Sequence, residues 1–421
     1  MKRHKAIISI FLILTLLSGC SQYSSEVMLI ENEPPVEQEH LFLSIFGYKA
    51  DALNLTAIEN ILNLHMEQNP DIVVTYEGVK GADYWNALER RAQANGLDDV
   101  FMVDHDHVIE LTGQCKLADL SGLPAIEKYQ DIMKEQFINK DGSVYFLPIC
   151  ISAYGLYINY DLLEAHGQKV PENWSDFMGV CNYFVKKGIT PIVANNYASL
   201  RYLIVARSLY SVYQQDSAAA IERFNCEPEE LANALRPGVK MVEEMIDYKW
   251  IDCAEILTTE QTSDDLKLFV GGDRPFMVTG GWATSRVAAM KPEFSYGVHP
   301  FPILDDGGVL VIDANTCISV NAASEHLDEA MQLVECITQP DCIWEYCESQ
   351  SSYTPLQDDR IPADKTILPA SACLERGQIV IGSDYRLNLP LDTSLSEITQ
   401  QMLMGMSANE AVTLLNQLLE Q

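Results

Sequence analysis

Residues able to do chemistry are present, but few stand in a chemically meaningful pattern. His105 and His107 lie in the run Asp104-His-Asp-His-Val. Alternate residues of a short polar stretch seldom converge on one ion, and no third ligand is nearby. The stretch therefore reads as the polar edge of a cleft, and neither a metal nor a cofactor is implied. There are 11 cysteines and no C-x-x-C spacing, so zinc-type ligation is not indicated. Several lie in apolar runs, at 147–151 and 180–184, where cysteine behaves as a small hydrophobe. The ten beyond Cys20 read mostly as free, buried thiols. No G-x-S-x-G nucleophile turn and no glycine-rich phosphate loop occurs. Carboxylate pairs such as Asp98-Asp99 and Asp305-Asp306 are expected by composition alone in so acidic a chain. More informative is Trp282, which follows Gly280-Gly281. Glycines let backbone approach a ligand closely. An indole face suits the C–H side of a pyranose, with carboxylates and amides nearby to bond its hydroxyls. An ordinary core position is the other reading of Trp282.

The elements that would position such groups follow from periodicity. Residues 41–48, 72–76 and 99–103 are apolar, β-branched runs that predict strands. Residues 52–68 and 83–95 carry helical spacing, the second with Trp85, Leu88 and Ala92 on one face. The order β-α-β-α-β predicts a parallel, doubly wound sheet. Ligands collect at the carboxyl ends of such strands, here Tyr48, Glu77 and Asp104-His105-Asp106. Two further apolar runs, 144–151 and 155–160, predict a pair of buried strands, and Pro148 suggests an edge or a crossover from one lobe into a second. Asn173, with Asp176 three residues on, predicts a helix start. A strand at 192–194 ends at Asn195-Asn196. Helices are predicted at 202–215 and 229–247, the latter broken or kinked at Pro237-Gly238. A strand at 275–279 leads to Trp282.

At 421 residues the chain is long enough for about two domains. Its net charge of −32 argues against nucleic acid, and against an anionic ligand drawn in by long-range field. The N-terminus has a basic start (Lys2, Arg3, Lys5), an apolar segment at 6–17, and Leu17-Ser18-Gly19-Cys20. That is the pattern of a secretory leader, too short to remain as a membrane span. Leu-Ser-Gly-Cys closely resembles the bacterial lipobox. The resemblance implies that residues 1–19 are removed and that Cys20 becomes a lipidated N-terminus, held to the membrane by its acyl chains. Loss of the three leader cations takes the net charge from −32 to −35. Residues 20–40 are polar and acidic with Pro34-Pro35, and read as a flexible tether.

Several stretches in order resemble one family. Asn69-Pro-Asp-Ile-Val-Val is similar to an "NPDIKV" opening, and Gly81-Ala-Asp-Tyr-Trp and Leu97-Asp-Asp-Val-Phe-Met-Val-Asp104 to the helix and strand that follow. Asp141-Gly-Ser-Val-Tyr-Phe-Leu-Pro148 resembles "DGKxYGLP", and Leu156-Tyr-Ile-Asn-Tyr-Asp161 resembles "LYYNKDLF". Pro171-Glu-Asn-Trp-Ser-Asp-Phe177 resembles "PxTWDEF", and 269–282 resembles "FxxGkaAMxxxGxW". This is the family of extracellular solute-binding proteins of carbohydrate ABC transporters, of the maltose-binding-protein type. The departures are the extra cysteines and Phe146 where the family often has Gly. The resemblance implies an α/β, two-lobed, periplasmic-binding-protein-like (type II) fold. Each lobe is an open sheet flanked by helices, and hinge strands join the two. It places the N-terminal lobe at 41–148 and 314–349, and the C-terminal lobe at 151–312 and 350–421. It also implies that Trp282 faces the cleft and stacks on sugar. Tyr48, Asp104, Tyr145, Asn196 and Arg201 are carried as ligand-binding candidates by their strand-end positions.

The function so implied is non-enzymatic capture of a sugar or oligosaccharide for delivery to a permease. The expected partners are a carbohydrate, the ABC permease subunits and, through the lipid, the outer face of the cell membrane. The protein would act as a monomer, with no nucleic-acid partner. Two alternatives stay open: an exported carbohydrate-active hydrolase, and the same fold binding a peptide, polyamine or phosphorylated compound.

Overall fold

Short β-branched runs alternating with amphipathic helices build the first half of the molecule. The computed structural model describes residues 28–30, 40–195, 199–259 and 264–420. The leader at 1–19, Cys20 and Asn196 lie outside the described residues. The strands are β1 (Met28–Ile30), β2 (Leu41–Gly47), β3 (Ile72–Gly78), β4 (Val100–Val103), β5 (Leu147–Asn159), β6 (Ile192–Val193), β7 (Phe276–Gly280), β8 (Tyr296–His299), β9 (Leu310–Val320) and β10 (Ile379–Ile381). The helices used below are α1 (Ala52–Gln68), α2 (Gly81–Gln93), α3 (His105–Gly113), α4 (Trp174–Lys186), α5 (Ser199–Tyr213), α6 (Pro228–Asp247), α7 (Thr284–Ala289), α8 (Leu327–Ile337), α9 (Pro340–Ser349), α10 (Leu391–Leu403) and α11 (Ala408–Leu419).

Hydrogen bonding joins the strands in the order β1-β3-β2-β4-β9-β5-β7-β6, with β10 on β9 and β8 on β5. β2, β3 and β4 are parallel, as the β-α-β-α-β order predicts. Within the expected tether, Met28–Ile30 pairs antiparallel with β3, so an apolar Met-Leu-Ile run covers an edge that would otherwise be open.

β5 and β9 run through the whole sheet. All 13 residues of β5 are buried. β9 pairs with β5 from Val311↔Tyr154 to Ile318↔Leu147. Along its other edge β9 first meets β10 in parallel, Leu310 to Ile312. It then meets β4 antiparallel, Cys317 to Val320. The residues between, 313–316, join the two halves of the sheet. Two strands were expected at 144–151 and 155–160. The structure has one instead, because both faces are covered and no turn residue interrupts it. Pro148 is tolerated because its stretch of β5 has β9 on one edge and no second strand on the other; β7 joins only at Tyr154.

A second correction concerns α6. Pro237 lies inside a continuous 20-residue helix and does not end it. The buried Ser208 hydroxyl of α5 accepts from the Gly238 amide at 2.9 Å and donates to the Leu235 carbonyl at 3.0 Å. A neighbouring helix thus satisfies the backbone that proline disturbs. Gly238 is required by this approach, since a Cβ there would stand 2.3 Å from the Ile204 carbonyl oxygen.

Two cores result. One includes Phe46, Tyr84, Phe101, Ile151 and Leu333 and continues onto the near face of the β5–β7 sheet. The other, on the far face, is built from α4, α5, α6, α10 and α11 around Trp250, Leu231, Leu395 and Leu415.

The joining segment contains a buried carboxylate. Asp313 is 4% exposed. It accepts from the Tyr202 hydroxyl at 2.8 Å and from the Ser383 amide at 2.7 Å. Burial, with Asp392 adding like charge, pushes its pKa up to about 6. A carboxyl whose folded pKa lies above its unfolded value of about 3.9 favours the folded state when protonated. Its contribution therefore grows as pH falls through about 6 and is lost as pH rises through that value. Asp313→Asn is expected to remove this term, worth up to about 3 kcal/mol across the window. Chemical denaturation of both proteins between pH 4.5 and 8 checks it. Parallel pH dependences would contradict the assignment.

Candidate ligand cleft at the hinge

Strand ends from both halves of the sheet meet over the joining segment. On the N-terminal side Tyr48 directly follows β2. Its ring lies 5.5 Å from that of Trp85 in α2, and Trp85 stacks on His107 of α3 at 4.6 Å and 19°. These half-buried rings form one aromatic row across three elements. The row is held by α3. Asp104, at the end of β4, caps that helix by accepting from the His107 amide at 3.0 Å, and its carboxylate lies 2.6 Å from His107 Nδ1. Burial favours a neutral ring, but Asp104 and then Glu89 outweigh it and raise the His107 pKa. His105 and His107 are therefore the first turn of a capped helix, where a polar loop was expected.

Trp282 stands just after the end of β7. It is half-buried, and its ring folds back over Gly280. A Cβ at Gly280 would stand 2.2 Å from the indole Nε1, so only glycine allows this pose. The Arg286 guanidinium of α7 lies 5.0 Å from the Trp282 ring, a cation–π distance. Arg286 also reaches across to Asp51 at 2.9 Å, and Lys80 holds the other oxygen of Asp51 at 2.7 Å. Partial burial works against ionisation of Asp51, yet Lys80 and Arg286 hold its carboxyl below the usual range.

The floor is the hinge itself. Thr316 has φ of +48°, a costly conformation for a β-branched residue. Tyr48 Oη accepts from its amide at 3.1 Å, and the Tyr346 hydroxyl donates to its Oγ1 at 3.0 Å. Strain at the joining strand is thus fixed by an aromatic residue of the cleft wall.

The remaining candidates lie apart. Arg201, in the first turn of α5, is buried; it donates to the Tyr202 hydroxyl at 2.9 Å and lies 3.4 Å from Asp392. Tyr202 stacks on Tyr154 of β5 at 3.6 Å. Tyr145 sits lower in the N-terminal half. Its carbonyl accepts from Ser319, the partner of Phe101 in β4, so it is level with the strand's interior and away from its carboxyl end. Tyr48 and Asp104 lie in one cluster with Trp85 and His107, and Trp282 lies with Arg286; Arg286 and Thr316 are residues the sequence did not single out. Trp85 had a signal: adjacent Tyr84 and Trp85 cannot share one helix face. Tyr84 is the buried member.

On the other flank, residues 382–390 strap the halves together. Leu387 and Leu389 are anchored in the second core. The Leu387 carbonyl lies 2.9 Å from His105 Nε2, the Tyr385 amide donates to Gln136 at 3.0 Å, and Arg386 pairs with Glu135 at 2.9 Å. Burial opposes protonation of His105, but Asp106 and Asp392 raise its pKa.

Among the described residues no helix is long and apolar enough to cross a membrane. Among the described residues the ten cysteines are free, with Cys150, Cys181, Cys317, Cys336, Cys342, Cys347 and Cys373 buried.

Residues 63–367 match the family described as bacterial extracellular solute-binding protein. The multiple sugar-binding protein of Streptococcus mutans is 23% identical over 258 residues, covering 57% of this chain and 59% of that protein. The chain thus aligns with about three fifths of that relative's length. RafE from Streptococcus pneumoniae, solved in its apo form, is 19% identical with a TM-score of 0.70, covering 92% of this chain and 99% of RafE. A sugar transporter of Bacillus licheniformis, solved with stachyose, is 18% identical with a TM-score of 0.66, covering 90% and 98%. The shared architecture is the type II periplasmic-binding-protein fold.

The strap gives a test of what holds the two halves together. Exposed or partly exposed pairs contribute about 0.2–1 kcal/mol each. Arg386→Ala combined with His105→Ala should shift the ligand-free protein towards open forms, seen as a larger radius of gyration in small-angle scattering. An unchanged scattering curve would show that the strap does not hold the halves.

Proposed function

We propose, from the premise that the chain belongs to the bacterial extracellular solute-binding proteins, that it captures a sugar or oligosaccharide between the Tyr48–Trp85 wall and Trp282 and delivers it to an ABC permease. The observation that carries this reading is the pairing of aromatic faces with fixed polar groups on opposite walls of a hinged cleft. Aromatic rings cover the C–H faces of a pyranose, and Asp104, His107, Arg286 and Asp51 offer hydrogen bonds at the edges. RafE has been solved with raffinose and a chitin oligosaccharide-binding protein shares the fold; these relatives support a carbohydrate of more than one ring.

Ligand binding draws the walls together by shifting an open–closed equilibrium, since the ligand makes its better contacts in the closed form. β5, β9 and the crossing near Tyr353, which bridges to Ile151, are the hinge. The lobes meet near 148–152, 312–316 and 350. Asn196 and Arg201 are kept as candidate ligand residues of the C-terminal lobe by their place in the sequence. The protein acts as a monomer.

Binding without turnover fits the carboxylates of this region. Hydrolysis of a glycoside needs two carboxyl groups free to act on one bond. Asp51 is held by two cations, Asp104 caps a helix, and both oxygens of Asp313 accept hydrogen bonds.

Cys20 carries the lipid anchor, and the protein works at the outer face of the membrane. Cys20→Ala should move it from the membrane fraction to the soluble exported fraction. Retention in the membrane would overturn the anchor.

For the ligand, a thermal-shift screen of raffinose, stachyose, chitin, xylan and maltose oligosaccharides is expected to contain at least one that raises the Tm, because a ligand bound only by the folded state stabilises it. Trp282→Ala should weaken that ligand's binding roughly tenfold or more without lowering the ligand-free Tm. A shift seen only with peptides or polyamines would overturn the sugar reading, and unchanged affinity would remove Trp282 from the site.

A further inference from the structure

Beside the aromatic row stands Lys49, in the turn 48–51 between β2 and α1, at a carboxyl end of the parallel strands. Its backbone is built in place. The Tyr76 hydroxyl of β3 donates to the Lys49 carbonyl at 2.8 Å, and the Val79 amide donates to that of Gly47 at 2.9 Å. Gly78 makes room for the turn, since a Cβ there would stand 2.7 Å from the Lys49 carbonyl oxygen. The side chain is half-buried, and its ammonium lies 5.0 Å from the centre of the Tyr48 ring. Among the described residues that ammonium has no carboxylate partner and no hydrogen-bond acceptor. Two residues on, Asp51 is already taken, by Lys80 at 2.7 Å and by Arg286 at 2.9 Å. Elsewhere the pattern is the reverse: Arg91, Arg274, Arg360 and Arg386 each pair with two carboxylates. That is what 60 acidic residues against 28 Lys and Arg produce, and the 48–51 turn departs from it. A half-buried ammonium gives up hydration, and without an anion beside it that loss is uncompensated. Burial, with the Arg286 charge acting in the same direction, pulls the Lys49 pKa below the ordinary lysine value.

We infer, resting on the reading that this cleft takes a carbohydrate, that the ligand is an acidic sugar, a uronate whose carboxylate pairs with Lys49. A uronate carries its carboxylate at the edge of the pyranose. A ring held against Tyr48 therefore brings that group to an ammonium 5.0 Å from the centre of the aromatic ring. One unpaired ammonium calls for one negative charge, which a carboxylate supplies, whereas a phosphate monoester carries about −1.5 to −2. The overall charge of −32 does not forbid such a ligand, because at physiological salt fields between exposed charges are screened beyond about 8 Å. Capture of the anion is then a short-range event at the turn, with no long-range attraction behind it.

The test is titration calorimetry on the purified protein. The probes are oligogalacturonate, oligomannuronate and glucuronate-bearing xylan oligosaccharides, each beside its neutral methyl ester, with neutral oligosaccharides and hexose 6-phosphates as further arms. At least one acidic oligosaccharide is expected to bind roughly tenfold to a hundredfold more tightly than its ester. Lys49→Met should abolish that difference and Lys49→Arg should restore most of it. Esterification tests the charge without touching the fold, so the comparison stands even if a variant is poorly folded. Binding of neutral oligosaccharides alone would overturn the acidic ligand and leave the sugar reading standing. Binding of no carbohydrate at all would overturn that reading with it. Hexose phosphates bound in place of uronates would overturn the carboxylate, and an acid–ester difference that survives Lys49→Met would overturn Lys49 as its partner.

Discussion

The structure depends on the hydrogen-bonded pairing of β5 with β9. These strands cross from one half of the sheet to the other while staying bonded to each other. A buried backbone cannot leave its polar groups unpaired. A crossing by two bonded strands satisfies that demand and still leaves a narrow connection about which two bodies can bend. Because β9 gives up β10 before it takes up β4, residues 313–316 are bonded along one edge only. This is where the chain can flex with least loss of pairing. It is also where a buried carboxylate, Asp313, and a strained threonine, Thr316, are found.

The cleft groups are tied to that connection. Tyr48 both belongs to the aromatic row and accepts from the Thr316 amide, so it ties that row to the joining strand directly. Trp282 is set by Gly280, whose strand pairs with β5 through Tyr154. Tyr48 and Trp282 are thus each tied to one of the two crossing strands, Tyr48 to β9 through Thr316 and Trp282 to β5 through β7. Arg286–Asp51 on one flank and the 382–390 strap on the other bridge the walls. Each bridge is polar and individually weak, as a reversible closure requires.

Much of the wound sheet was legible in the sequence, since strand and helix periods differ and three strands alternate with two helices. What failed was local reading where tertiary contacts decide. Pro237 reads as a helix break because sequence cannot show that Ser208 mends it. Gly155 reads as the start of a second strand, whereas it lies within β5, close against the His299 carbonyl. Tyr145 was carried by strand-end position, and register sets it level with Phe101. Trp85 was assigned to the core by period alone. Its neighbour Tyr84 fills that place and bonds the Met102 carbonyl at 2.6 Å, leaving Trp85 half-buried between Tyr48 and His107. Trp282 stood out because its two glycines are a local signal, and the resemblance to solute-binding proteins rested on several such short signals in order.

The direct measurement is a crystal structure grown with the carbohydrate that most raises the Tm. Capture by hinged closure predicts a sugar ring between the Tyr48–Trp85 wall and the Trp282 indole, with Thr316 and Asp313 at the base of the site. A ligand bound elsewhere on the molecule, or a cleft that stays empty at saturating sugar, would contradict it.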